Sequence, residues 1–165
     1  MNKILLAIDD SPASSKAASY VADLAGRKKE FGIHIFHAID PLPTELQEFR
    51  GAENPHDEKI LDAELKRKQN SWEQKAKTAA ESLITKTRLL LEEAGVPPEH
   101  ISSQNVVLMH HEDLTDDILK AARDFNCNTV VVGRNAYPWL EGLFASHLGD
   151  EVERKAQGIF VSVID

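Results

Sequence analysis

A segment near the end of the chain has the residue types of an anion-binding turn. A run of Thr and Val at 129–132 stops at Gly133, and Arg134 opens a polar and aromatic turn. A helix pattern follows at about 146–156. A strand, a glycine turn and a helix start can together present backbone N–H groups to a phosphate. The segment is therefore a candidate phosphate site.

Two side chains can add to this chemistry. The guanidinium of Arg134 is always charged and can bind a phosphate through two parallel hydrogen bonds. Asp9 directly follows an apolar run at 4–8 and offers a carboxylate to a ligand. Simpler roles stay open, because Arg134 can be a solvated loop residue and Gly133 a strand-ending turn. Asp9 can likewise be a helix cap or a solvated carboxylate.

Other reactive residue types give weaker signals. The aromatic turn at 137–139 either stacks on a ligand or packs against its own domain. The run at 110–113 holds two histidines and two acidic residues, but adjacent side chains point in opposite directions and rarely bind one metal ion. Cys127 is expected to be an inert thiol. No nucleophile, base and orienting group form a set, so the sequence gives no reason to expect an enzyme.

The elements that would position these residues alternate along the chain. Continuous apolar runs predict strands, and amphipathic stretches between them predict helices. The predicted strands lie at 3–8, 32–39, 106–109, 129–132 and 159–164, and the predicted helices at 11–26, 58–94, 113–125 and 146–156. This order predicts a single α/β domain over 1–165, with a five-stranded parallel sheet and helices on both faces. Ligands of such sheets bind at the carboxyl ends of the strands.

One part of the chain, at about 44–70, does not fit the regular alternation. Residues 44–58 are polar with scattered Pro and Gly, which predicts a long surface excursion. The helix that follows is expected to break near 70–71. The segment therefore reads as an insertion or helix extension, and a lid, a dimer arm and a loose loop all remain open.

Composition limits the choice of partners. The 165 residues carry a formal net charge of −8, which argues against nucleic acid or an anionic membrane as the main partner. The chain has a single cysteine, so an internal disulfide is excluded and a reducing, cytoplasmic location is expected. The apolar run at 4–8 is too short for a signal segment or a membrane span.

Three stretches of the chain resemble the universal stress protein family. The run at 3–11 looks like the family's first strand with its terminal Asp, and the run at 32–40 looks like its second strand. The stretch from Val130 to Ile164 looks like its last third. The resemblance implies a Rossmann-like fold of the adenine nucleotide alpha hydrolase type.

Nucleotide-binding members of that family carry the signature Gly-x2-Gly-x9-Gly followed by Ser or Thr. Gly133 stands at the first of these positions. Ala136, Ser146 and His147 stand at the other three, so this chain keeps one residue of the four.

The resemblance also implies which residues would touch a nucleotide. Asp9 and Ala38 would lie at the adenine or ribose end of the ligand. Gly133, Arg134 and Ala136 would line the phosphates, and Ser146, His147 and Leu148 would stand at the start of the following helix. The ligand would be ATP or AMP, with Mg²⁺ accompanying ATP. The protein would hold it without turnover, in a stress response.

The family often forms homodimers through its last strand, which here begins at Ile159 and ends at Ile164. The alternative is a member with a degenerate signature that binds no nucleotide. Such a protein would act as a dimeric interaction or regulatory protein.

Overall fold

The computed structural model describes residues 2–27, 30–47, 54–110, 113–134 and 158–164. Five strands form one sheet, in which every neighbouring pair is parallel. The strands are β1 (Asn2–Ile8), β2 (Phe31–Ile39), β3 (Ile101–Val107), β4 (Thr129–Gly133) and β5 (Phe160–Ile164). Their order across the sheet is β3-β2-β1-β4-β5, so β1 lies at the centre.

Helices cover both faces of this sheet, and the predicted fold class is confirmed. They are α1 (Pro12–Arg27), α2 (Thr44–Gln47), α3 (Pro55–Glu93) and α4 (Leu114–Asp124), with a 3₁₀ turn at Pro98–His100. Side chains of α1 and α3 pack with one face of β1 and β2, and side chains of α4 pack with the other. This arrangement follows from right-handed crossovers: those through α1 and α3 run across the sheet from β1 to β3, and the one through α4 runs back from β3 to β4.

The central strand is buried on both faces, as its continuous apolar run predicts. Residues 4–8 are all buried, and alternate side chains enter the two core clusters. Helix α1 lies so close to the end of α3 that a Cβ added at Gly26 would overlap the carbonyl oxygen of Ala94. Glycine at this position therefore allows α1 and α3 to share one face.

The third strand was predicted wrongly at 106–109. It begins at Ile101 and includes Ser102, Ser103, Gln104 and Asn105. β3 is an edge strand of the described sheet with several exposed side chains, so polar residues are compatible with it. The strand therefore has no continuous apolar run at its start.

The long helix also differs from the prediction. α3 is unbroken through 70–71 and begins at Pro55, where the side chain of Asn54 accepts a hydrogen bond from the N–H of His56 at 2.9 Å. Asn at the N-cap and Pro at the first helical position together favour a helix start here, three residues before the predicted one. The excursion also contains the short α2. The predicted helix at 146–156 lies outside the described residues.

No helix in the described ranges is long and apolar enough to cross a membrane.

Candidate functional site

The strand order places the candidate residues at one edge of the sheet. Ile8 pairs with His37 of β2, and Ala7 pairs with Val132 of β4. One residue further along each strand, Asp9 therefore stands next to Ala38, and Gly133 ends the strand on the other side. Strands β2 and β4 lie on opposite sides of β1, so the strand order reverses direction at this edge. Such a switch point is where α/β proteins bind ligands.

Asp9 is held by the start of α1. Its Oδ1 accepts hydrogen bonds from the backbone N–H of Ser11 at 2.9 Å and from Ser11 Oγ at 2.6 Å. The N–H of Asp9 donates to Oγ of the buried Ser14 at 2.9 Å. Since both bonds from Ser11 go to Oδ1, the second carboxylate oxygen, Oδ2, is the one that can serve a ligand.

Ser11, and not Asp9, caps the helix. The N–H of Ser14 donates to Ser11 Oγ at 3.1 Å, and Pro12 is the first helical residue. This arrangement is the usual N-terminal cap, in which a serine hydroxyl satisfies the third N–H of the helix. The carboxylate of Asp9 therefore has no capping role of its own.

The surroundings of the carboxylate change its ionisation. Burial raises the pKa of Asp9, and this effect outweighs the hydrogen bonds from Ser11, which lower the pKa. Burial lowers the pKa of His37. The hydrogen bond with Asn105 and the nearby carboxylates, Asp9 among them, raise this pKa, but their effect is smaller than that of burial. The edge thus combines a partly desolvated carboxyl with a histidine that favours its neutral form.

Gly133 has a steric role that stands without any ligand. A Cβ added there would overlap the backbone of Ala13 and would lie 2.6 Å from the nitrogen of Ser14. The positive-φ residues of the described chain are Gly95, Gly158 and Asn126, so Gly133 is not needed for a left-handed turn. It is needed because α1 begins directly against the end of β4.

Arg134 follows on the exposed side of this contact. Its backbone N–H donates to the carbonyl of Ile164 at 2.6 Å, which continues the pairing of β4 with β5. The remaining residues predicted to contact a nucleotide are Ala136, Ser146, His147 and Leu148. They lie outside the described residues, as does the aromatic turn at 137–139.

A groove of about 730 Å³ also reaches Asp9, but it runs in another direction. Its other walls are side chains of α1 and α3, among them Ser15, Ser19 and Lys86. Ala38, Gly133 and Arg134 do not line it. The groove therefore lies on the helical face and is separate from the strand edge.

Sequence reasoning missed Ser14 and His37. The serine spacing in Asp9-Asp10-Ser11-Pro12-Ala13-Ser14 could have revealed the bonds to Asp9, because side chains near a helix start reach back to the preceding turn. No local signal could have placed His37 beside Asp9, since that proximity depends on the pairing of β1 with β2.

Two other predictions concern residues away from this edge. Cys127 is buried, and burial raises its thiol pKa to about 11, in agreement with an inert cysteine. His110 lies 3.4 Å from a carboxylate oxygen of Asp113 on the surface. Within the described ranges, no group of three or more His, Cys, Asp or Glu residues could hold a metal ion. His111 and Glu112 lie outside those ranges, so the interpretation of the run at 110–113 stays a prediction.

The fold and the site define a class: a parallel α/β protein with polar groups gathered at its switch point. The model of the universal stress protein family matches residues 1–158, and the chain belongs to that family. A comparison with curated proteins found no match.

Solved structures of the family share the fold. A universal stress family protein from Burkholderia pseudomallei is 16% identical, with a TM-score of 0.58 over 99% of this chain and 95% of that one. A universal stress protein from Archaeoglobus fulgidus in complex with dAMP is 17% identical, with a TM-score of 0.54 over 100% and 98%. A universal stress protein in complex with cAMP is 16% identical, with a TM-score of 0.55 over 99% and 97%.

Proposed function

We propose that this chain binds an adenine nucleotide, ATP or AMP, at the carboxyl edge of β1, β2 and β4, and holds it without turnover. The observation that carries the proposal is the meeting of Asp9, Ala38, Gly133 and Arg134 at the switch point. The protein would act in the cytoplasm, in a stress response. The family complexes with dAMP and cAMP support the ligand class.

The residues at this edge fit the base and sugar end of such a ligand. Oδ2 of Asp9 can accept a hydrogen bond from an adenine amino group or a ribose hydroxyl. A partly desolvated carboxylate forms stronger hydrogen bonds than one in open water. The backbone at Ala38, directly beside Asp9, can pair with the base edge.

The phosphates would lie further along the edge. Gly133 and Arg134 would face them, and the guanidinium of Arg134 would supply a bidentate contact in place of signature glycines. Ala136, Ser146, His147 and Leu148 would complete the contacts, and Mg²⁺ would accompany ATP. These assignments rest on the family resemblance.

Titration calorimetry with ATP and AMP tests the proposal. The wild type should bind, and Asp9→Ala should weaken binding by about 10- to 100-fold, as expected for a hydrogen bond to a charged group. Asp10→Ala is the matched control, because Asp10 is the adjacent exposed carboxylate and should leave affinity unchanged. Absence of heat with millimolar ligand, together with no nucleotide in the mass spectrum of the purified protein, would contradict it.

A second candidate function is that of a dimeric interaction protein without nucleotide. The observation that favours it is β5, which pairs only with β4 in the described sheet and leaves Phe160 77% exposed. An apolar edge strand of this kind can pair with a second copy across a two-fold axis.

Light scattering tests this pairing. Phe160→Lys should halve the assembly mass, since charge on an edge strand opposes edge-to-edge contact. Val107→Lys on the opposite edge strand, where Val107 is 54% exposed, is the control and should change nothing. A wild-type monomer at micromolar concentration would rule out the pairing.

A further inference from the structure

Most of α3 extends beyond the core. The helix has 39 residues, but its buried side chains are confined to the last third: Ala80, Ile84, Thr87 and Leu91. The preceding 25 residues, 55–79, span about 37 Å at 1.5 Å per residue. Helices in water depend mainly on tertiary packing for their stability, so a segment of this length calls for a partner surface.

An apolar strip runs along this extension. Leu61, Leu65 and Trp72 are spaced by four and seven residues and lie on one face of the helix. α2 covers the neighbouring side, where Nε2 of Gln69 donates to the carbonyl of Leu46 at 2.6 Å. Leu61 remains 42% exposed, so the strip is open on the side away from α2.

A line of four exposed charges borders the strip. Asp57, Glu64, Lys68 and Lys75 follow one another at spacings of seven, four and seven residues, which places them within about 20° of one line along the helix. The order is acidic, acidic, basic, basic, symmetric about position 66. The two ion pairs of the described α3 use other residues, Lys66 with Asp62 and Lys77 with Glu73.

We propose that the α3 extension pairs with the α3 extension of a second copy of this chain, in antiparallel orientation about a two-fold axis near residue 66. In a two-fold interface each residue meets its counterpart reciprocally. Asp57 then lies opposite Lys75 of the partner subunit, and Glu64 opposite Lys68 of the partner subunit. The symmetric charge order thus favours a copy of the same chain over an unrelated partner.

The same pairing covers the apolar strip. Leu61 of one copy comes beside Trp72 of the partner subunit, and the two Leu65 side chains lie near the axis. A parallel pairing would instead set acidic residues against acidic and basic against basic, which is unfavourable. The charge line therefore fixes the orientation as well as the partner.

Charge reversal followed by mixing tests the interface. Lys68→Glu/Lys75→Glu alone and Asp57→Lys/Glu64→Lys alone turn every cross-axis attraction into a repulsion. Each variant should halve the assembly mass in sedimentation experiments and raise the dissociation constant by roughly 100-fold, since four exposed ion pairs are lost. An equimolar mixture of the two variants should restore the wild-type mass, because opposite charges face each other again.

The matched control reverses charges on the other flank of the same helix. Lys66→Glu/Lys77→Glu changes the same number of charges but leaves the proposed line intact, so the assembly mass should stay as in the wild type. Circular dichroism checks that all variants are folded, and restoration in the mixture excludes misfolding as the cause. A wild-type monomer, an unchanged mass after reversal, or a mixture that stays dissociated would each overturn the proposal.

This interface is independent of the nucleotide proposal and of β5. The charge-reversed variants should therefore bind ATP as the wild type does in calorimetry. Phe160→Lys should likewise leave the α3 pairing in place.

Discussion

Gly133 shows how one residue can connect packing to a binding edge. Its missing Cβ lets the first turn of α1 lie against the end of β4, near Ala13 and Ser14. Ser14 and the cap residue Ser11 in turn hold the backbone and the carboxylate of Asp9. A change at Gly133 therefore reaches Asp9 through the helix start.

Gly133→Ala should lower the free energy of unfolding by about 2–3 kcal/mol, because the added methyl meets backbone atoms that cannot rotate away. It should also weaken ATP binding, since α1 must shift. Gly95→Ala is the comparison: a Cβ there meets nothing within 4 Å, and only the φ of +95° strains it. Chemical denaturation and calorimetry measure both effects, and equal loss of binding in the two variants would refute the link.

His34 is a buried histidine away from the candidate site. It stacks on Phe125 with ring centroids 3.6 Å apart, and Nδ1 lies 2.8 Å from Ser102 Oγ. Burial is the main cause that lowers its pKa from the ordinary 6.5 to about 4. Below pH 6.5 the unfolded chain takes up a proton here, while the folded protein stays neutral until about pH 4.

The protein should therefore lose stability between pH 6.5 and pH 4, by up to about 3 kcal/mol from His34. His34→Gln should flatten this dependence, and the exposed His56→Gln should not. His37 will leave some slope, because burial lowers its pKa as well. Urea midpoints at pH 7 and pH 4.5 give the measurement, and an unchanged slope in His34→Gln would contradict the assignment.

At the scale of elements, α3 combines two different environments in one helix. Its last third is part of the core with α1, and the extension before it carries a solvated face. The sequence indicated this helix over about 58–94, because amphipathic periodicity is a local property, but it missed the start at Pro55 and wrongly suggested a break near 70–71. It gave no sign that one helix would serve both the core and an exposed face.

Truncation at the two ends of α3 should have different effects. Leu91→Ala removes a fully buried side chain and should cost about 2–5 kcal/mol of unfolding free energy. Leu65→Ala on the extension should change the stability of the separated subunit by about 1 kcal/mol or less and should instead weaken subunit association. Denaturation at several protein concentrations separates the two effects, and a large, concentration-independent loss in Leu65→Ala would contradict them.

The edge strands show a second limit of local patterns. β1 and β4 are central, so their apolar runs identified them directly. β3 is an edge strand whose polar residues pair with polar residues of β2, such as His34 with Ser102. Such a strand is specified by its neighbour, and sequence periodicity alone could not locate its start.

At the scale of the whole molecule, two separate surfaces are proposed to join copies of the chain. β5 and the α3 extension belong to different elements and carry different chemistry, one a backbone edge and the other a charged helix face. If both proposals hold, substitutions in β5 alone or in the α3 extension alone leave the other interface intact.

Phe160→Lys and Lys68→Glu/Lys75→Glu should each leave a dimer, and the combination of all three substitutions should give a monomer. The reason is that two independent two-fold contacts assemble more than two copies, and each set removes one contact. Sedimentation equilibrium measures the masses. A combined variant that remains dimeric would show that a third surface exists.

The sequence by itself determined the α/β class, the family and the strand ends that carry Asp9 and Gly133, because burial patterns and glycine turns are written locally along the chain. Only the tertiary structure decided that β1 lies between β2 and β4, and this order brings Asp9 beside Ala38 and His37. It also decided why position 133 must be glycine: the backbone of α1 occupies the space of a side chain. Contacts between separate segments of the chain, β1 with β2 and with β4 and α1 with the end of β4, set these features, and no local preference encodes them.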